Sequence, residues 1–95
     1  ETMRGNYPEA ERIYAYLTNK LPKNAEVLEG RARMYLARGM KGFAQRDINQ
    51  AFELLGGKAP ATLYRLRAEL NEGLGNRKAA AEDIQRAEAL ERSQP

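Results

Sequence analysis

Residues 28–54, LEGRARMYLARGMKGFAQRDINQAFEL, and residues 64–90, YRLRAELNEGLGNRKAAAEDIQRAEAL, are two copies of one pattern at an offset of 36. The identical pairs are Arg31/Arg67, Ala32/Ala68, Gly39/Gly75, Ala44/Ala80, Asp47/Asp83, Ile48/Ile84, Ala51/Ala87 and Leu54/Leu90. Both Asp residues of the chain therefore occupy one register position. A partial third copy opens the chain, where the segment from Gly5 to Ala10 aligns with that from Gly39 to Ala44 at a spacing of 34. The two extra residues of the later spacing fit the loop around Gly56–Ala59. Self-similarity at such a period marks units that bury their faces against one another, not one irregular core.

Turn and cap signals divide the chain into five helices. Asn6, Pro8 and Glu9 form a capping-box-like start for a helix from Pro8 to Asn19 that stops near Pro22. Asn24 caps a second, from Ala25 to Arg38, and Gly39 ends it in a left-handed conformation. A third runs from Gly42 to Leu55 and stops at Gly56-Gly57. Pro60 opens a fourth, ended by Gly73 and Gly75, and Asn76 caps a fifth that reaches Arg92. Few residues are β-branched and no stretch alternates apolar and polar for long, so the fold class is all-α.

The apolar positions obey helical spacing. Leu28, Ala32, Tyr35 and Gly39 form one stripe, and Ala44, Ile48, Ala51, Phe52 and Leu55 form another. Small residues at Ala32, Ala44 and Ala51 let helix axes approach closely, while Tyr35 and Ile48 fill the spaces between. A hairpin this thin cannot bury its face alone, so each unit depends on its neighbours.

These residues resemble the tetratricopeptide repeat family, whose unit is a helix–turn–helix of about 34 residues. The middle copy supplies Leu28, Ala32, Tyr35, Gly39, Ala44, Ile48 and Ala51. The last supplies Tyr64, Ala68, Gly75, Ala80, Ile84 and Ala87, with Asn71 departing where Tyr is usual. The first half-copy supplies Gly5, Tyr7, Ala10, Tyr14, Leu17 and Pro22. The resemblance implies one domain over 1–95: 1–22 as the second helix of a truncated repeat, then repeats at 24–57 and 59–92. It further implies an α-solenoid of antiparallel hairpins wound as a right-handed superhelix. Arg31 and Arg67 stand where Leu is frequent, each 16 residues before an Asp, and some repeats of the family pair such an Arg with an acid across the hairpin. Ion pairs Arg31–Asp47 and Arg67–Asp83 are therefore expected, as structural features.

Composition narrows the chemistry. The 95 residues contain no His and no Cys, so zinc-finger, haem or iron–sulfur ligation and a thiol nucleophile are excluded. Ser93 is the only Ser, and no imidazole exists to activate it. No catalytic, metal-binding or cofactor-binding residue is expected. The carboxylates Glu69 and Glu72 share a helix face without a second titrating partner or a pocket, and Gly73-Leu74-Gly75 follows no strand that would make it a phosphate loop. No apolar run approaches the roughly 18–20 residues needed to span a bilayer. A soluble chain in either the cytoplasm or the periplasm is the expectation.

The family's concave face is lined by the first helix of each repeat. Here the stripes pointing away from the core are Glu26, Glu29, Arg33 and Leu36, then Thr62, Arg65, Glu69 and Glu72. They are the candidate binding residues for a peptide or helix of a partner protein. The chaperone-tail clamp of related repeats is poorly matched, since Gly30 and Leu66 replace the expected Asn and Glu29 and Glu69 repel a carboxylate. With 16 Lys plus Arg against 13 Asp plus Glu and eleven Arg, a nucleic-acid-binding repeat is an alternative, although the cations are interleaved and form no stripe. A regulatory appendage of a larger enzyme is another. The opening half-repeat and the lack of a polar capping helix after the fifth suggest a piece of a longer array, or ends that pack on another copy.

Overall fold

A computed structural model describes residues 7–93 and shows five α-helices, with no strand among them. They are α1 (Tyr7–Lys20), α2 (Ala25–Ala37), α3 (Lys41–Leu55), α4 (Ala61–Gly73) and α5 (Arg77–Arg92), with a 3-10 turn at Gly56–Lys58. That turn holds the two residues by which the later repeat spacing exceeds the first. The expected cap at Asn6 lies outside the described residues.

Helix ends follow the backbone chemistry of Gly and Asn. The Asn24 side chain accepts a hydrogen bond from the Val27 amide at 3.0 Å, so α2 starts where expected. Gly39 and Gly75 adopt φ of 79° and 84°. At both, the following amide reaches back to close the helix, Met40 to the Tyr35 carbonyl and Asn76 to the Asn71 carbonyl, each at 2.8 Å. This is the Schellman arrangement, and it needs a left-handed residue that a side chain would strain. It also corrects the expectation for Asn76. Its amide is engaged by the preceding helix and its ψ is 73°, as at Met40, so its side chain makes no capping bond.

Successive helices pack antiparallel. Between α2 and α3, Tyr35 meets Phe43 near the turn and Arg31 meets Asp47 one turn further away. The α3–α4 contact runs from Phe52–Tyr64 to Lys41–Gly73. Helix α2 also touches α4, so first helices of neighbouring hairpins adjoin. The core joins Leu28 and Ala32 of α2, Ala44, Ile48 and Ala51 of α3, and Leu63, Leu66 and Leu70 of α4. Ala32, Ala44 and Ala51 are all fully buried, the positions where small side chains were required for close approach. Enlarging any of them overpacks the contact.

Candidate functional site

Two polar networks repeat along the hairpins. Arg31 donates through Nε and Nη2 to the two oxygens of Asp47, at 2.8 and 2.9 Å. Arg67 donates in the same way to Asp83, at 3.2, 3.1 and 2.9 Å. The hydrogen bond to Asp47, helped by the charge of that carboxylate, holds the Arg31 guanidinium above its ordinary pKa against the cost of burial. Both carboxylates are buried among helix side chains, and every one of their oxygens accepts a hydrogen bond. Both oxygens of each buried carboxylate thus have a partner inside the fold.

Each Arg also reaches the preceding second helix at one register position. Arg31 Nη1 donates to Thr18 Oγ1 of α1 at 3.2 Å, and the Arg67 guanidinium lies 3.9 Å from the Phe52 ring of α3. Thr18 and Phe52 are 34 residues apart, one repeat. The Arg–Asp pairs thus close each hairpin and tie it to its predecessor. Asn71, which replaces the expected Tyr, donates to Asp83 Oδ2 at 3.0 Å.

The candidate binding residues lie on the opposite side of α2 and α4. Arg33, Thr62, Arg65 and Glu69 line one open depression between the two helices, floored by Leu66. Glu26 and Glu72 are exposed on the same stripes, beyond that depression. Leu36 corrects the sequence reading: it is half-buried and packs against the core, because it stands four residues after Ala32 and eight after Leu28, beside the buried stripe of α2. Arg33 is shared with a second depression, between α1 and α2, lined by Tyr7, Ala10, Tyr14, Gly30, Met34 and Ala37.

That apolar half was missed in the sequence. Its signal was Gly30, a glycine in the middle of a helix, which costs about 1 kcal/mol relative to Ala. A Cβ there would stand 2.6 Å from Tyr14 Oη and 3.0 Å from the ring. Gly30 therefore lets α1 lie close against α2, and the tyrosines of α1 become walls of the depression.

Charge on this face is already partly neutralised from within. Arg33 donates to Glu29 at 3.0 Å, one helical turn away. Arg65 makes a bidentate pair with Glu91 of α5, both bonds 2.8 Å. Glu91 was not among the candidates, since it lies 26 residues along the chain from Arg65. The hydrogen bond from Arg65 holds the Glu91 carboxyl below its ordinary pKa, and the same bond raises that of Arg65. Among the described residues no salt bridge engages Glu26, Glu69 or Glu72. No group of three or more acidic side chains among the described residues is placed to hold a metal ion. No described helix is long and apolar enough to cross a membrane.

No family model, no curated protein and no solved structure matches the chain.

Proposed function

We propose that the chain is a tetratricopeptide-like scaffold of two and a half repeats, with hairpins stacked as a right-handed solenoid. Its concave face, lined by α2 and α4, holds a peptide or helix of another protein and performs no chemistry of its own. One observation supports this reading above the rest: two depressions share Arg33, one between α1 and α2 and the other between the first helices α2 and α4. An apolar depression beside one with scattered polar anchors suits an extended peptide or an amphipathic helix.

Selection of a displayed peptide library against the chain tests the proposal. Thr62 is exposed in the first turn of α4 and lines the depression, so Thr62→Trp fills it without disturbing the core. Selected peptides should lose at least about tenfold in affinity for this variant, the loss of one good anchor contact. Equal binding to both proteins, with circular dichroism unchanged, would place the peptide elsewhere and overturn the reading.

A further inference from the structure

The face between the first helices is anionic although the chain as a whole carries +3. Its stripes, with Glu91 joined to them through Arg65, present five carboxylates and two guanidiniums: Glu26, Glu29, Glu69, Glu72 and Glu91 against Arg33 and Arg65. Both guanidiniums are already engaged, Arg33 by Glu29 and Arg65 by Glu91. We infer that the ligand of this face is a cationic peptide segment, its Lys or Arg side chains set against Glu69 and Glu72 and an apolar neighbour placed in the depression beside Tyr14.

The inference rests on the scaffold proposal and adds the chemistry of its ligand. An anionic ligand would meet no free cation here. To reach Arg65 it would have to displace the bidentate Glu91, leaving that carboxylate unpaired. Bidentate guanidinium–carboxylate pairs are the strongest of the side-chain hydrogen-bonded contacts, so the exchange returns little. A phosphate backbone faces the same obstacle along its whole length. A cationic segment displaces nothing: Glu69 and Glu72, one turn apart on α4, lie open to it. Like charge set in a concave surface also focuses the field and raises the local concentration of counter-charged ligand.

Fluorescence anisotropy of the purified chain with four labelled probes tests the inference. The probes are a Lys/Leu nonapeptide, its Glu/Leu counterpart, a Ser/Leu peptide and a single-stranded RNA of similar length. The Lys/Leu peptide should bind most tightly, and more weakly as salt shortens the Debye length to about 3 Å near 1 M. The double variant Glu69→Gln, Glu72→Gln should weaken it about tenfold, two exposed pairs at a few-fold each. Both side chains are exposed, and circular dichroism verifies that the variant is folded. Tightest binding of the Glu/Leu peptide would overturn the charge assignment while leaving the scaffold proposal standing, as would Lys/Leu binding indifferent to the variant. Preference for RNA over every peptide would overturn the inference and move the face to nucleic acid. If no peptide of any charge binds, the scaffold proposal fails with it.

Discussion

The hairpins α2–α3 and α4–α5 use the same residues at the same register and bury them differently. Ile48 of α3 is fully buried, whereas Ile84 of α5 is only half-buried. The difference comes from the neighbour. Helix α4 packs on α3 and covers Ile48, while no helix among the described residues lies on the far side of α5. The flanking positions have changed accordingly. Phe52 and Leu55, which pack towards α4, correspond to Glu88 and Glu91 on α5. A further hairpin stacked on α5 as α4 stacks on α3 would cover Glu88 and the Glu91–Arg65 pair, where the middle hairpin offers apolar side chains, and covering charge in this way is expensive. The repeated residues specify the hairpin; the residues that differ specify what sits beside it.

The largest expected effect breaks this comparison at its centre. Ile48→Ala should cost about 2–5 kcal/mol, the usual range for emptying a fully packed aliphatic site. Ile84→Ala should cost about 1–2 kcal/mol, since its outer atoms already meet water and no closed cavity forms. Urea unfolding of the two variants measures both. Equal losses would show that α5 is covered as fully as α3, and that the contrast between the hairpins is wrong.

The Arg–Asp pairs sharpen the comparison instead. Removing one partner of a fully buried pair costs about 3–5 kcal/mol. Here the Arg31 and Arg67 side chains retain 25% and 34% exposure, so about 1–3 kcal/mol is expected. The loss should be greater for the Arg than for the Asp variant, because the carboxylate is then left buried, Asp47 with no donor and Asp83 with the Asn71 amide alone. Arg31→Ala should exceed Arg67→Ala, since it strips Asp47 of its donors and removes the bond to Thr18, whereas Asp83 keeps the Asn71 amide at 3.0 Å. Double-mutant cycles should give coupling in both hairpins, and additive single losses would remove the pairs from the stabilising interactions.

Much of this scaffold is visible in the sequence because it is local or repeated. Gly39 and Gly75 close their helices through bonds within six residues, and the offset of 36 lines up Arg31–Asp47 with Arg67–Asp83. What the pattern hides is the set of contacts that one hairpin makes and the other does not. Asn71 reads as a departure from the repeat, yet it adds a donor to Asp83 from the position where Tyr35 stacks on Phe43 in the other hairpin. Asn76 reads as a cap because its residue type suits one. The Schellman closure of α4 fixes its backbone before the side chain can act. Leu36 falls on the outer stripe when counted from Arg33, but it also stands four residues after buried Ala32 and packs against the core. Glu91 meets Arg65 only once α5 has folded back along α4. The candidate face was therefore legible as two stripes, and its internal pairing and apolar half were not.

Glycines of opposite consequence lie on the first helices. At Gly30 an added Cβ meets the Tyr14 ring and hydroxyl, whereas at Gly73 it meets only the end of the Lys41 side chain, at 3.2 Å. A ring wedged between helices cannot step aside without moving α1; a lysine chain can. Gly73→Ala should therefore be neutral or stabilising by up to about 1 kcal/mol through helix propensity. Gly30→Ala should lose its similar propensity gain to displacement of α1. Amide exchange should then speed up along residues 7–20 and remain unchanged in α4 and α5. Unaltered protection in α1 would mean that Tyr14 does not depend on the missing Cβ.

The smallest effect is a difference in acid sensitivity. Glu91 is held below its ordinary pKa chiefly by the hydrogen bond from Arg65. A carboxyl whose folded pKa is depressed stabilises the fold above its unfolded value, near 4.3, and that stabilisation is lost as pH falls through the lower folded value. Leu55 occupies the corresponding position in the middle hairpin, so the contribution belongs to α4–α5 alone. The pair is exposed, so salt should weaken it and the change in stability should be slight. A carbon-detected NMR titration of the Glu91 carboxyl reads it directly. Its midpoint should lie below that of an unpaired glutamate and return towards it in Arg65→Gln. A midpoint unmoved by that substitution would mean that Arg65 is free in solution. A free Arg65 would also give the face a cation for an anionic ligand, so this small shift bears on the preference for a cationic one.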